Sequence, residues 1–346
     1  VKLGPSNALY VLELYHGPTL SFKDFGARTL ARLLSHFVAG EDRELTILVA
    51  TSGDTGSAVA DGFAGVEGIR VVLLYPENQV SAVQESQLIV TRPNVYPLRV
   101  RGRFDDCQRM VKDAFSDDAL ADVPLSTANS INIGRLLPQM LYYAWTQVRL
   151  DTSDLTFCVP SGNLGNLTAG MWAASTGMPC RGFIAAHNRN DFFPEFLSGS
   201  DASFRPSVQT PSNAMDVGAP SNFERLESMY TASELRERIR GSSVDDEATL
   251  ARIATTAEEF DYLADPHTAV GLEAVSRLGG RLARPSGTHV ILSTAHPAKF
   301  ADTVRSATGR VVPVPERLGA LDDMPKTFES IDARSESLTE YLRSLD

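Results

Sequence analysis

Three stretches of this chain carry residue types that could hold an anion or form a bond with a carbonyl. Thr51-Ser52-Gly53-Asp54-Thr55-Gly56-Ser57 and Pro160-Ser161-Gly162-Asn163-Leu164-Gly165-Asn166 both read Ser-Gly-[Asp/Asn]-x-Gly, 109 positions apart. Each follows an apolar run and precedes a helix-like stretch. Glycines let a backbone turn tightly and approach a ligand closely. The first N–H groups of a helix have no internal partner, and the helix dipole adds positive charge there. A strand–glycine loop–helix unit is therefore an anion cradle made of backbone. One such loop often serves packing alone; its repetition at equivalent positions points to two anionic groups held by the chain. Neither loop is GxGxxG, and no GxxxxGK occurs, which argues against dinucleotide and P-loop chemistry.

The third stretch is His16-Gly17-Pro18-Thr19-Leu20-Ser21-Phe22-Lys23-Asp24-Phe25-Gly26. Lys23 sits where a helix begins, a poor place for a purely structural cation because the dipole disfavours it. The flanking Phe22 and Phe25 would lower its pKa from roughly 10.4. A lysine so placed suits Schiff-base chemistry. Read from the residues alone, an ordinary exposed lysine remains the favoured reading, because lysines are mostly exposed.

Strand–helix alternation must position these loops. Tyr10–Tyr15, Leu45–Ala50, Arg70–Tyr75, Val95–Val100, Leu155–Val159, Gly182–Ala186 and Val290–Ser293 read as strands, several of them apolar enough for burial on both faces. Helical spacing covers 24–38, 104–115, 133–148, 166–175 and 245–260, with a further helix from Pro297. Residues 187–231 read as loops with short helices, and a charged amphipathic tail follows Thr327. This pattern predicts an α/β protein with parallel sheets, binding ligands beyond the C-terminal ends of strands.

The composition limits the partners. The chain has 346 residues and a net charge of −11, so nucleic acid and anionic membranes are not expected partners. No apolar run is long enough to span a bilayer, and no secretory leader opens the chain. Cys107, Cys158 and Cys180 have neither zinc nor redox spacing and suit a reducing cytoplasm, and no metal site is expected.

The run HGPTLSFKDFGAR (His16–Arg28) resembles the cofactor-lysine motif of the threonine synthases. SGDTGSAVA (52–60), ANSINIGRLLPQ (128–139), PSGNLGNLTAG (160–170), SNAMDV (212–217), DPHTAVG (265–271) and TAHPAKF (294–300) resemble the same family, in family order. The branch resembled is typified by enterobacterial and fungal enzymes. The resemblance implies a pyridoxal 5'-phosphate enzyme of fold type II, like the tryptophan synthase β chain. Two parallel-sheet α/β lobes would hold the site between them. It implies a larger cofactor lobe of residues 1–44 and 148–346 and a smaller lobe of 45–147. The sizeable segment that family members carry before the YVLELY strand is expected to be absent.

By the same resemblance Lys23 carries the cofactor and moves protons. Gly162, Asn163, Leu164, Gly165 and Asn166 hold its phosphate, Thr294 faces its ring nitrogen, and Asp54 lies near its ring hydroxyl. Thr51, Ser52 and Thr55 grip the substrate carboxylate. Asn129, Ser130 and Arg135, helped by Asn163, take the substrate phosphate, for which a guanidinium with two neutral donors is suited. His267, His296, Asn213 and Asp216 read as structural hydrogen-bonding residues. The implied reaction is that of a carbon–oxygen lyase acting on phosphates. O-phospho-L-homoserine and water give L-threonine and phosphate, in the last step of threonine biosynthesis, in a cytoplasmic monomer or homodimer. Competing readings are a phospholyase that yields 2-oxobutyrate from the same substrate, and an inert binding protein.

Overall fold

The computed structural model describes residues 1–4, 9–41, 43–282 and 287–345. Among them ten strands form: β1 (Leu9–Glu13), β2 (Leu45–Ala50), β3 (Ile69–Pro76), β4 (Val95–Arg101), β5 (Leu125–Thr127), β6 (Leu155–Pro160), β7 (Gly182–His187), β8 (Ile239–Ser243), β9 (Thr288–Ser293) and β10 (Glu329–Asp332). The helices that matter for the site are α1 (Lys23–Val38), α2 (Asp54–Gly62), α3 (Ala82–Ile89), α4 (Phe104–Ala114), α5 (Ile133–Leu136), α6 (Met140–Leu150) and α7 (Gly165–Ser175). Further helices are named by their ranges.

The chain divides into two compact units. The first takes Val1–Phe22 and Leu136–Pro313 and is built on a sheet of order β1-β9-β6-β7-β8. Every pairing in it is parallel. Parallel strands need helical crossovers, which cover both faces and explain the uninterrupted apolar sequences. One face packs Tyr143, Phe157, Leu167, Phe183 and Phe193 together. The other packs Val11, Cys158, Ile184, Val270 and Ile291.

The second unit takes Lys23–Arg135 and Val314–Asp346, on a parallel sheet of order β10-β4-β3-β2-β5. Ala27, Leu30, Val59 and Phe63 bury one face, so α1 and α2 pack as a pair. A Cβ on Gly62 would lie 3.2 Å from the Ala27 carbonyl carbon, which is how closely the two helices approach. Leu48, Leu74, Met110, Leu338 and Leu342 bury the other face.

These units differ from the lobes read from the sequence. Residues from Lys23 to the start of β2 belong with the smaller sheet because the apolar face of α1 is buried against α2. The tail from Val314 belongs there too: β10 extends the sheet beside β4, and helix Ser335–Ser344 inserts Leu338 and Leu342 into its core. Conversely, α6 belongs with the larger sheet through Tyr142 and Tyr143. The long helix expected over 133–148 is interrupted by a 3-10 turn at Leu137–Gln139. Pro138 in that turn lacks the N–H that a continuous helix would require.

Candidate active site

The first unit carries the cleaner anion cradle. β6 is wholly buried and delivers the chain to Ser161, whose N–H donates to the Ala186 carbonyl at 2.8 Å. A Cβ on Gly162 would stand 2.7 Å from Met215 Cα, so only glycine fits beneath that segment. Asn163 is tied sideways. Its Oδ1 accepts from Ser221 N at 2.6 Å and Ser221 Oγ at 3.0 Å, and its carbonyl accepts from Asn222 Nδ2 at 3.0 Å. Leu164 adopts a left-handed conformation, φ 59°, and no side chain caps the helix that follows. α7 thus starts abruptly, without a side-chain cap on its first N–H groups.

Below the cradle lies Asn166. The hydroxyls of Tyr142 and Tyr143 each donate to its Oδ1 at 2.7 Å. Burial pushes both phenols well above their ordinary range, so they remain neutral donors. The buried Asn166 Nδ2 has no hydrogen-bond partner among the described residues. A buried amide left unmatched costs about 1–3 kcal/mol unless something accepts from it. An uncapped helix start, a glycine that excludes a Cβ and an unmatched donor together suit a phosphate group such as that of pyridoxal phosphate.

Thr294 is buried directly after β9. Its carbonyl accepts from Phe22 N at 2.9 Å, and the Leu20 carbonyl accepts from His296 N at 3.1 Å. The TAHPAKF segment therefore pairs with the residues immediately before Lys23. Lys299, only 1% exposed, completes the pairing by donating from Nζ to the Thr19 carbonyl at 3.1 Å. Leu20 is held at φ 56°, a backbone state that side chains rarely adopt. Lys299 had no sequence signal beyond its presence in the motif, because nothing local marks a lysine as buried. His296 caps the turn Pro297–Phe300 by accepting from Ala298 N at 3.1 Å, in keeping with its structural reading.

In the second unit Lys23 is the first residue of α1 and is half-buried. Phe22 is half-buried as well, and Phe25 is 42% exposed. Asp24 is buried, and a Cβ on Gly26 would lie 2.5 Å from the Arg135 carbonyl oxygen. Arg135 itself is 2% exposed. Its Nη1 donates to the Ala128 carbonyl at 2.5 Å. Burial pulls the guanidinium down to about 10 while Asp24 opposes the fall, so it stays charged near neutrality. Arg135 thus braces the start of α1 and the Ala128–Asn129 turn.

The Thr51–Ser57 loop is braced from within. Thr51 is fully buried, and its Oγ1 accepts from Gly53 N at 2.9 Å and Gly56 N at 2.8 Å. Gly53 has φ 128°, and a Cβ there would meet the Gln84 amide at 2.6 Å. Gln84 is buried and donates from Nε2 to Asp54 Oδ1 at 3.0 Å, while its Oε1 accepts from Ser81 N at 3.1 Å. Gln84, the partner of Ser81 in the capping box of α3, therefore also orients Asp54, a link that sequence inspection missed. Asn129 donates to the Ala50 carbonyl at 2.8 Å. Of the residues expected to touch substrate, Ser52, Thr55, Asn129 and Ser130 are partly exposed, while Thr51 and Arg135 are buried.

Parallel sheets of this topology, with a glycine loop and a helix start after the central strand, have the architecture of a pyridoxal-phosphate enzyme of fold type II. The family described as "Pyridoxal-phosphate dependent enzyme" matches residues 2–294, and that described as "Threonine synthase, C-terminal" matches 268–342. A threonine synthase of Serratia marcescens is 42% identical over 340 residues, covering 96% of this chain and 77% of the relative. The crystal structure of threonine synthase from Escherichia coli superposes with a TM-score of 0.89 at 38% identity, covering 99% of this chain and 80% of that one. A pyridoxal-phosphate-bound threonine synthase from Brucella melitensis superposes equally well, at 34% identity and with the same coverage. Maize serine racemase, at 16% identity and a TM-score of 0.63, shares the fold. The chain belongs to the threonine synthase family of pyridoxal-phosphate enzymes.

Proposed function

We propose that this chain is a threonine synthase that converts O-phospho-L-homoserine and water to L-threonine and phosphate. The observation that carries the reading is the uncapped start of α7, with Gly162 pressed under Met215 and Asn166 Nδ2 unmatched. That start lies in a chain whose relatives over most of its length are threonine synthases.

Pyridoxal phosphate supplies, when bound, an electron sink for negative charge that develops at the substrate carbons. The protein's part is to bind, orient and move protons. The N–H groups from Gly162 to Asn166 hold the cofactor phosphate, and Asn166 Nδ2 gains its missing acceptor there. The Thr294 hydroxyl would be the partner of the ring nitrogen; being neutral, it would not enforce protonation as a carboxylate would. Asp54, oriented by Gln84, lies toward the ring hydroxyl. Lys23 Nζ would hold the cofactor, and its amine would serve as the base that takes protons from the substrate α- and β-carbons and returns one to the α-carbon.

Ser52 and Thr55 orient the substrate carboxylate, on a loop whose shape Thr51 sets. Ser130 and Asn163 donate to the substrate phosphate, while Asn129 and Arg135 fix the turn that presents Ser130. Groups that hold a phosphate as it departs both orient the substrate and stabilise the leaving charge. The test is Lys23→Ala. The variant is expected to lose both the visible absorption of the bound cofactor and turnover; retention of full turnover would overturn the assignment.

A further inference from the structure

His267 is buried against the segment whose backbone packs on Gly162. Asp265 precedes helix Pro266–Leu282 and saturates both carboxylate oxygens on its start. Oδ2 accepts from His267 N at 3.0 Å and from His267 Nδ1 at 2.5 Å. Oδ1 accepts from Thr268 N at 3.2 Å and from the Thr268 hydroxyl. The side chains of His267 and Asp265 are 2% and 0% exposed. On its far edge His267 Nε2 accepts from Ala214 N at 3.2 Å. A backbone N–H only donates, so Nε2 must be bare and the ring proton must sit on Nδ1, against Asp265.

Ala214 lies in the 3-10 turn Asn213–Met215, the segment whose backbone presses on Gly162. The segment is anchored at both ends. Asn188 Nδ2 donates to Ser212 Oγ at 3.0 Å. Asp216 accepts from Asn188 at 2.9 Å, Asn190 at 3.2 Å, Thr210 N at 3.0 Å and Thr210 Oγ1 at 2.7 Å. Between those anchors, His267 makes a side-chain tie to the middle of the span. Its ring is fixed in turn by an edge-on contact with Phe300 at 5.0 Å.

We infer that His267 is a positioning residue for the cofactor cradle: through Ala214 N–H it holds the Ser212–Asp216 strap down on Gly162, and so sets the direction of the N–H groups that face the phosphate. The inference rests on the reading of Gly162–Asn166 as the cofactor-phosphate site. It requires the Nε2 acceptor, not merely a ring of that volume. A glutamine places an amide oxygen close to the Nε2 position, whereas an asparagine reaches only as far as Nδ1.

The experiment compares the full chain with His267→Gln and His267→Asn. It measures pyridoxal phosphate affinity by absorbance titration, the phosphorus NMR shift of the bound phosphate, and the exchange rate of the Ala214 amide in the cofactor-free chain. Loss of a buried acceptor is expected to weaken cofactor binding about tenfold in His267→Asn, displace the phosphorus resonance and speed Ala214 exchange. His267→Gln is expected to restore all three toward the parent. Equal affinity and an unmoved resonance in His267→Asn would overturn the inference. So would a His267→Gln variant as impaired as His267→Asn, because volume would then be what matters. If the parent chain binds no pyridoxal phosphate, the cofactor reading fails, and Ala214 exchange alone decides the strap. Faster exchange in His267→Asn than in His267→Gln then supports it, and equal exchange overturns it.

Discussion

Gly162→Ala tests whether the cradle depends on close backbone approach. The added methyl would lie 2.7 Å from Met215 Cα and 3.2 Å from the Ala214 carbonyl oxygen. Carbon atoms in contact prefer about 3.5–4.0 Å, so the methyl intrudes by roughly 0.8 Å at the Met215 contact. Both obstacles are backbone and cannot rotate away. Gly162 does not have positive φ, so any penalty is steric. Overpacking of this kind costs about 1–3 kcal/mol. If that cost falls on the cofactor-bound state, pyridoxal phosphate affinity drops roughly 5- to 140-fold, at about 1.4 kcal/mol per tenfold. If the strap yields in the free chain instead, the cost appears as a lower melting temperature. Absorbance titration and thermal unfolding of the same variant capture both. Gly319→Ala is the control, since a Cβ there meets nothing within 4 Å. A Gly162→Ala chain that matches the parent in cofactor affinity within twofold and also in melting temperature would refute the reasoning.

Arg135→Met leaves the buried Asp24 without this counter-charge and the Ala128 carbonyl without its donor. The second unit should lose about 3 kcal/mol, read by urea unfolding, with Arg135→Lys losing less. His187 is buried, and burial pulls its pKa down from 6.5 to about 4. A depressed folded value means that the stability it contributes is fully present above pH 6.5 and is lost as pH falls through about 4. His187→Gln should therefore flatten the unfolding free energy over that window, as followed by denaturant titration at several pH values. Leu338→Ala removes a fully buried side chain of helix Ser335–Ser344 and should cost about 2–5 kcal/mol. An unchanged melting temperature would mean that the tail does not complete the second core.

The strands that carry the loops were legible because burial on both faces leaves an unbroken apolar run. Leu45–Ala50 matches β2 at both ends, and Leu155–Val159 falls one residue short of β6. The sequence IRGSS of β8 has no such run; pairing with β7 at the end of the sheet makes it a strand. The helix Pro266–Leu282 went unread although Asp265 before Pro266 is a recognisable start signal. Membership of α1 and of the tail in the second unit rests on contacts distant in sequence, such as Glu329 beside Leu98, and has no local mark.

The same division holds at the site. The glycine loops announce themselves because a strand, a turn and a helix start are consecutive in sequence, whereas Lys23 is singled out only by the family resemblance. Gln84 on Asp54, Lys299 on Thr19 and His267 on Ala214 join residues from 30 to 280 positions apart. Residue type alone also does not separate a ligand from a brace. Arg135 is the right chemistry for a phosphate, and in the fold its Nη1 also donates to the Ala128 carbonyl. No helix among the described residues is long and apolar enough to cross a membrane.

The most direct measurement supplies the chain with pyridoxal phosphate and O-phospho-L-homoserine and quantifies phosphate, threonine and 2-oxobutyrate in one sample. Threonine equal to the phosphate released is the expected result. Phosphate matched by 2-oxobutyrate, or no phosphate from a folded chain with bound cofactor, would contradict the account.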